Sequence, residues 1–133
     1  MADDYEFETE IRVRFRDLDP MDHVNNAVYS TYLEQARADY FREVVDVTLA
    51  DVDTVLASLS IDFHRPIEPD ETVTIALTVS DLGTSSLSME YEVRRGDGAV
   101  AATAETVQVA YDRETESSRP IPDEWRETIE AAR

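Results

Sequence analysis

A strand-like pattern passes into a helix-like pattern through Asp17-Leu18-Asp19-Pro20-Met21-Asp22-His23-Val24-Asn25-Asn26. This stretch places carboxylates, an imidazole and two amides within ten residues. Where a strand leads into a helix, side chains converge while backbone N–H groups of the first helical turn still point outward. We therefore expect the chemistry of this chain here, with the remaining sequence acting as its scaffold.

The residues before this junction alternate in character. From 5 to 16, apolar side chains occupy mainly odd positions and charged side chains mainly even ones. That period of two predicts a half-buried strand. Pro20 lacks an N–H and restricts its predecessor, so we expect the strand to end near Asp19. Cross-strand ion pairs are expected between its arginines and two later glutamates: Arg12, Arg14 and Arg16 with Glu90 and Glu92.

After the junction the period changes. From Ala27 to about Val44 the apolar residues fall on one arc at about 100° per residue, which predicts a long amphipathic helix with one buried face. Asn25 or Asn26 is well placed as its N-cap, because a short polar side chain there can accept a free backbone N–H.

The rest of the chain predicts four more strands and a short C-terminal helix. Alternating patterns cover 55–63, 72–79, 87–93 and about 99–111, and Trp125 and Ile129 mark the helix. Consecutive hairpins indicate a mostly antiparallel five-stranded sheet wrapped around the single long helix, an α+β fold in one domain spanning 1–133. Such a sheet favours pairing between subunits through faces or edges.

Composition narrows the possible partners and setting. The net charge is -18, from 30 acidic residues against 12 arginines and no lysine. A surface dense in acids and without lysine favours halophilic adaptation, since concentrated salt screens the self-repulsion. Nucleic acid is not expected as a partner, because no basic patch offsets this charge.

Two absences in the sequence bear on location and chemistry. With no cysteine, disulfides, thiolate catalysis and cysteine metal sites are excluded. An acidic start without an apolar run, and no later run of about 18 apolar residues, predict a cytoplasmic protein that does not contact a membrane.

Metal binding is not expected. The sequence from Asp17 begins like a calcium loop, but its sixth position is Asp22 instead of glycine and its twelfth is Val28 instead of glutamate. His23 and His64 are the only histidines, and neither has a partner at the helical spacing of zinc ligands. We expect no cofactor, and a structural role for His64.

The junction has the parts needed for acyl transfer. Hydrolysis of an activated acyl group needs a carboxylate to activate the nucleophile and donors to hold the oxygen that gains negative charge. Asp19, His23 four residues later, and the helix start supply these groups. The sequence contains no Gly-x-Ser-x-Gly pattern, so the carboxylate is the strongest candidate.

Three segments carry a resemblance to a known family: Asp-x-Asp-x-x-x-His-Val-Asn-Asn at 17–26, Tyr-Leu-Glu-Gln-Ala-Arg at 32–37, and Ser-Ile-Asp-Phe-His-Arg-Pro at 60–66. Together they resemble the hotdog-fold acyl-CoA thioesterases of the 4-hydroxybenzoyl-CoA thioesterase type, over roughly residues 5–125. The Asp-His-Val-Asn-Asn portion is also similar to plant acyl-carrier-protein thioesterases.

The resemblance implies roles for individual residues. Asp19 matches the catalytic carboxylate, acting as base or nucleophile, and Asn26 matches the helix-start amide that polarises the thioester carbonyl. His23 matches an assisting histidine of the plant type. Met21 departs from that type, which has asparagine at this position.

The resemblance further implies an acyl-CoA or acyl-carrier-protein thioester as substrate, and a homodimer or homotetramer with sites at the subunit interface. Asn25 is expected to bind the substrate, and Tyr29, Tyr32 and Leu33 are expected beside the acyl group. Residues expected beside the CoA phosphates are Arg65, Arg94 and Arg95, with Ser85 and Ser86.

Two alternatives are compatible with the same residues. One is a hydratase or dehydratase acting on acyl thioesters, which adds or removes water without releasing a thiol. The other is a non-catalytic acyl-thioester binding module, in which Asp17, Asp19 and His23 only cap the helix.

Overall fold

The structure, a computed structural model, describes residues 5–47 and 53–133. Its strands and helices are β1 (Phe7–Arg12), α1 (Val28–Tyr40), β2 (Thr54–Phe63), β3 (Thr72–Leu82), β4 (Ser86–Arg94), β5 (Val100–Asp112), β6 (Ser117–Ser118) and α2 (Asp123–Ala132). Neighbouring strands are antiparallel in the order β1-β3-β4-β5-β2, and the two-residue β6 lies beside β5. The predicted α+β fold, with five strands around a long helix and a short terminal helix, is confirmed.

The core lies between α1 and the inner face of the sheet. On the helix, the predicted arc is buried and includes Tyr29, Leu33, Ala36 and Tyr40. Alternate residues of the two central strands face it: Val73, Ile75, Leu77, Val79, Leu87, Met89, Tyr91 and Val93. Full burial of such a side chain contributes about 1.5–3 kcal/mol, so this layer fixes the position of α1 and of the loop before it.

β1 is shorter than predicted. The strand ends at Arg12, and a 3₁₀ turn follows at Phe15–Asp17. The carboxylate of Asp17 accepts the backbone N–H of Arg14 (2.9 Å), which turns the chain away from the strand ladder. As a result Phe15, expected on the buried side, is 92% exposed.

The predicted ion pairs of the β1 arginines with Glu90 and Glu92 were wrong. β1 pairs with β3, so β4 and its glutamates lie one strand further away. Glu92 is instead bound by Arg94, which also binds Glu8 (2.7 Å in each case).

α1 begins later than the proposed caps. Its N-cap position is Ala27, which makes no side-chain capping bond, so the N-cap prediction for Asn25 or Asn26 was wrong. The Asn25 side chain instead accepts the N–H of Ala27 (2.9 Å) and closes the turn before the helix. At the other end a π-helical turn, Phe41–Val45, extends the helix to Asp46, where the backbone is left-handed (φ 67°).

β2 differs from the other long strands because the described part of the chain leaves most of it uncovered. Its only strand neighbour among the described residues is β5, and a register shift interrupts the pairing between Leu56 and Ser58. Nearly every residue of β2 is exposed. Its large apolar side chains are 39–47% exposed: Val55, Leu56, Leu59 and Phe63.

Candidate active site

In the loop after the 3₁₀ turn, residues 19–23 form a hydrogen-bonded ring that Asp19 closes. One carboxylate oxygen, Oδ1, accepts the N–H groups of Met21 (2.9 Å) and His23 (3.2 Å). The backbone N–H of Asp19 donates to the carbonyl of His23 (2.8 Å), and Asp22 takes a left-handed conformation (φ 61°) to close the ring. The second oxygen, Oδ2, accepts no hydrogen bond from any described residue, so one oxygen is held and the other is available.

Asp19 lines a cavity of about 270 Å³ at the start of α1. The cavity is lined by residues from the loop, from α1 and from the turn after β2: Asp19, His23, Val24, Asn26, Tyr29, Phe63, His64, Arg65 and Pro66. The predicted catalytic residues therefore lie in one cavity, together with Tyr29 and Arg65 from the predicted binding set.

Among the backbone N–H groups near the cavity, one donates to no described residue. Met21 and His23 donate to Asp19 Oδ1, and the other N–H groups of 22–25 and 27–29 donate within the loop or to Ile67. The N–H of Asn26 has no hydrogen-bond partner in the described part of the chain. Because Asn26 lines the cavity, its N–H is the candidate for binding a developing oxyanion.

The apolar wall of the cavity is an aromatic pair. Phe63 meets Tyr29 edge to face, with ring centroids 4.9 Å apart and an 86° angle between the planes. Tyr29 is buried while Phe63 is 47% exposed, so the pair joins the core to an open surface. Burial, with the nearby charge of Glu71, raises the pKa of Tyr29 and keeps its hydroxyl neutral.

Asp17 does not line the cavity but lies against α1. Its side chain is buried and accepts the hydroxyl of Tyr32 (2.7 Å). Burial and this hydrogen bond raise the pKa of Tyr32. Tyr32 and Leu33, both predicted beside the acyl group, are in the core and do not line the cavity.

The predicted CoA-binding residues are divided by the structure. Arg65 lines the cavity, and Arg95 donates to the Pro66 carbonyl in the cavity wall (3.3 Å). Arg94 is paired with glutamates on the outer face of the sheet. Ser85 and Ser86 lie at the other end of β4, roughly 25 Å from Arg94 at the rise of a strand. These two serines therefore do not join the site, and Asn25 does not line the cavity either.

Three cavity residues at the end of β2 and in the turn after it were not predicted as site residues. Phe63 and Pro66 line the cavity, and so does His64, whose Nε2 lies 3.1 Å from the hydroxyl of Thr103. Glu68, further along the turn, reaches the His23 ring with its carboxylate 3.5 Å from Nε2. The sequence did contain a signal for this turn: a histidine and an arginine directly follow a strand, and side chains from neighbouring strands converge at the end of a sheet.

No group of three or more His, Asp or Glu side chains among the described residues is arranged to hold a metal ion. No helix in the same part of the chain is long and apolar enough to cross a membrane.

Comparison with known proteins decides the family. The family model described as the thioesterase-like superfamily matches residues 13–129. The chain belongs to this superfamily. The predicted resemblance to hotdog thioesterases is thereby confirmed, as is the prediction of a thioester hydrolase.

Comparisons with individual proteins support the same superfamily. The chain is 30% identical to the long-chain acyl-CoA thioesterase FadM of Escherichia coli, with 92% of this chain and 96% of that protein covered. It is 29% identical to the uncharacterized protein YsmA of Bacillus subtilis, covering 94% and 86%. Among solved structures, a Thermus thermophilus thioesterase complexed with coenzyme A and Zn is 37% identical, covers 96% of this chain and 94% of its own, and superposes with a TM-score of 0.87.

Proposed function

We propose that this thioesterase hydrolyses acyl-CoA, with Asp19 as general base and the Asn26 N–H as oxyanion donor. The observation that carries the proposal is the free Oδ2 of Asp19 in the same cavity as the free N–H of Asn26. A base with one oxygen fixed and one available is oriented before substrate binds, which lowers the entropy cost of reaction.

The reaction follows from these two groups. A water oxygen bonds to the acyl carbon while Asp19 takes a proton from that water. The carbonyl oxygen gains negative charge and accepts the N–H of Asn26. The C–S bond then breaks, the proton passes from Asp19 to the departing sulfur, and the products are the free acid and the CoA thiol.

The CoA moiety is proposed on the cations beside the cavity. FadM is named for long-chain acyl-CoA, and the Thermus structure contains coenzyme A. In this chain Arg65 and Arg95 are the predicted arginines close to the cavity, and guanidinium groups bind phosphates well. The acyl group would begin against Phe63 and Tyr29.

We further propose that the protein works as a homodimer joined through β2. The strand has one bare edge and a row of half-exposed apolar side chains, which isolated monomers avoid. Phe63 ends this strand and also lines the cavity, so a second subunit on β2 would complete the cavity wall.

A thiol-release screen tests the proposed reaction. Aromatic, short-chain and long-chain acyl-CoAs are supplied in molar salt, which screens repulsion between CoA phosphates and a chain of net charge -18. We expect free thiol and free acid in equal amounts, and a kcat about 10²–10⁴-fold lower for Asp19→Ala.

Two results of this screen would contradict the proposal. One is water addition to an enoyl-CoA with no thiol released, which is the hydratase outcome. The other is hydrolysis by Asp19→Ala at the parental rate. Hydrolysis in ¹⁸O-labelled water checks the base role: label should enter the product acid and not Asp19.

A further inference from the structure

The catalytic loop and the turn after β2 are joined by a backbone hydrogen bond. The N–H of Val24 donates to the carbonyl of Ile67 (3.0 Å), and Ile67 is fully buried. His23 and Glu68 are the residues next to this bond on the two segments. The bond therefore fixes where their side chains start, and His23 Nε2 lies 3.5 Å from Glu68 Oε1.

The segment that carries Glu68 is itself anchored. The Glu68 N–H donates to one carboxylate oxygen of Glu71 (2.8 Å), and the other oxygen accepts the N–H of Gly96 (3.1 Å). The carbonyl of Glu71 accepts the N–H of Val13 (2.9 Å). Glu68 is thus placed by the β4–β5 hairpin and by the end of β1, independently of any attraction to His23.

This anchoring matters because both side chains are partly exposed, 35% for His23 and 55% for Glu68. An exposed ion pair contributes little stability by charge attraction. The Glu68 carboxylate instead affects the tautomer of the His23 imidazole. A carboxylate at Nε2 favours the tautomer with the proton on that nitrogen, and Nδ1 is left as an acceptor.

We propose that Glu68 is a positioning residue that holds His23 in the Nε2–H tautomer, so that Nδ1 accepts a hydrogen bond from the attacking water. This inference rests on the proposed hydrolysis. The water has two O–H groups: Asp19 takes the proton of one, and His23 Nδ1 accepts the other as a hydrogen bond. The lone pair of the water is thereby aimed at the acyl carbon, and His23 gains no proton.

The tautomer is measured directly by ¹⁵N NMR of the imidazole rings. The chain has only two histidines, so His64 serves as an internal reference. Spectra are recorded at about pH 9, where histidine is ordinarily neutral. We expect His23 in the Nε2–H form in the parent and in Glu68→Gln, whose amide oxygen also accepts this proton. In Glu68→Ala we expect a mixture of tautomers, with His64 unchanged.

Kinetics of the same variants test the consequence. For Glu68→Ala we expect kcat to fall about threefold to tenfold, the range of one net hydrogen bond, with KM unchanged. Glu68→Gln should restore most of kcat. Glu130→Ala, which removes an exposed acid on α2, is the control for loss of one negative charge and should match the parent.

The outcomes separate this inference from the proposed function. An unchanged His23 tautomer in Glu68→Ala overturns the positioning role whatever the activity. A changed tautomer with parental kcat overturns its part in hydrolysis. If the parent releases no thiol from any acyl-CoA, the proposed function fails, while the NMR result still decides whether Glu68 holds His23.

Discussion

The surroundings of α1 have two sides that differ in how the chain uses polar groups. On what we call the closed side, Asp17 and Asp39 are buried and bind Tyr32 and Thr9. On the open side, Asp19 keeps a free oxygen in a cavity that continues onto the bare strand β2. Asp17 and Asp19 are only two residues apart and chemically identical.

This difference shows that the surroundings of a carboxylate decide its use. Both carboxylates accept backbone N–H groups from their own loop. Only Asp17 is also covered by α1 through Tyr32, and a carboxylate satisfied in this way has little left to offer a substrate. We therefore expect the closed side to contribute stability, and we propose the open side for reactivity and assembly.

The largest effect is expected from removing the buried acid of the closed side. Asp17→Ala leaves the Tyr32 hydroxyl and the Arg14 N–H without their acceptor, which should lower the free energy of unfolding by about 2–4 kcal/mol. Urea unfolding measures this, with the exposed Glu10→Ala on β1 as control. Equal stabilities of the two variants would show that the closed side is not structural.

The next effect concerns assembly on the open side. Leu56→Glu places a charge on the exposed apolar row of β2, so the proposed dimer should dissociate at least about 100-fold more readily. Sedimentation equilibrium measures the constant in molar salt. Ser80→Glu, exposed on β3, adds the same charge away from β2 and should leave the dimer intact. A monomeric parent would refute the dimer itself.

A smaller loss of stability is expected for Tyr32→Phe. The variant removes one donor to Asp17, which keeps the Arg14 N–H, so the cost should be about 1–2 kcal/mol. Tyr111→Phe at a half-buried position serves as the control in the same unfolding experiment. A loss of turnover without loss of stability would place Tyr32 in the reaction instead.

The smallest effect is a pH dependence at Asp39. Burial opposes its ionisation, but hydrogen bonds from Thr9, Arg42 and Gln35 outweigh it and hold the pKa of Asp39 below its ordinary value. A lowered folded-state pKa gives stability that is present above the ordinary value near 4 and is lost at lower pH. The stability difference between the parent and Asp39→Asn should therefore close below about pH 4. A difference that is constant with pH in urea unfolding would refute the assignment.

Sequence patterns predicted the closed side and the open side unequally well. Hydrophobic periodicity located α1 and the strands, because burial against a common core repeats at regular intervals. It failed at Phe15 and at the proposed N-cap, where single hydrogen bonds accepted by the Asp17 and Asn25 side chains turn the chain. Periodicity contains no information about such local bonds.

Within the candidate site, the catalytic candidates predicted from the sequence were those close together along the chain. The junction residues Asp19, His23 and Asn26 were predicted because they are neighbours along the chain. Phe63 lines the cavity and Glu68 contacts the His23 ring, and both come from some 40 residues away, through antiparallel pairing of β2 and one backbone bond at Ile67. Ser85 and Ser86 were assigned to the site wrongly, because the length of the predicted strand 87–93, at about 3.3 Å per residue, already separates them from Arg94.

The division of roles between Asp17 and Asp19 is tested most directly by a matched pair, Asp17→Asn and Asp19→Asn, each measured for acyl-CoA turnover and for unfolding in molar salt. Both variants replace a carboxylate with a group of the same shape. We expect Asp19→Asn to lose turnover by about 10²–10⁴-fold at parental stability, and Asp17→Asn to lose stability while the folded fraction keeps turning over. Parental turnover by Asp19→Asn, with turnover lost in folded Asp17→Asn, would contradict the account.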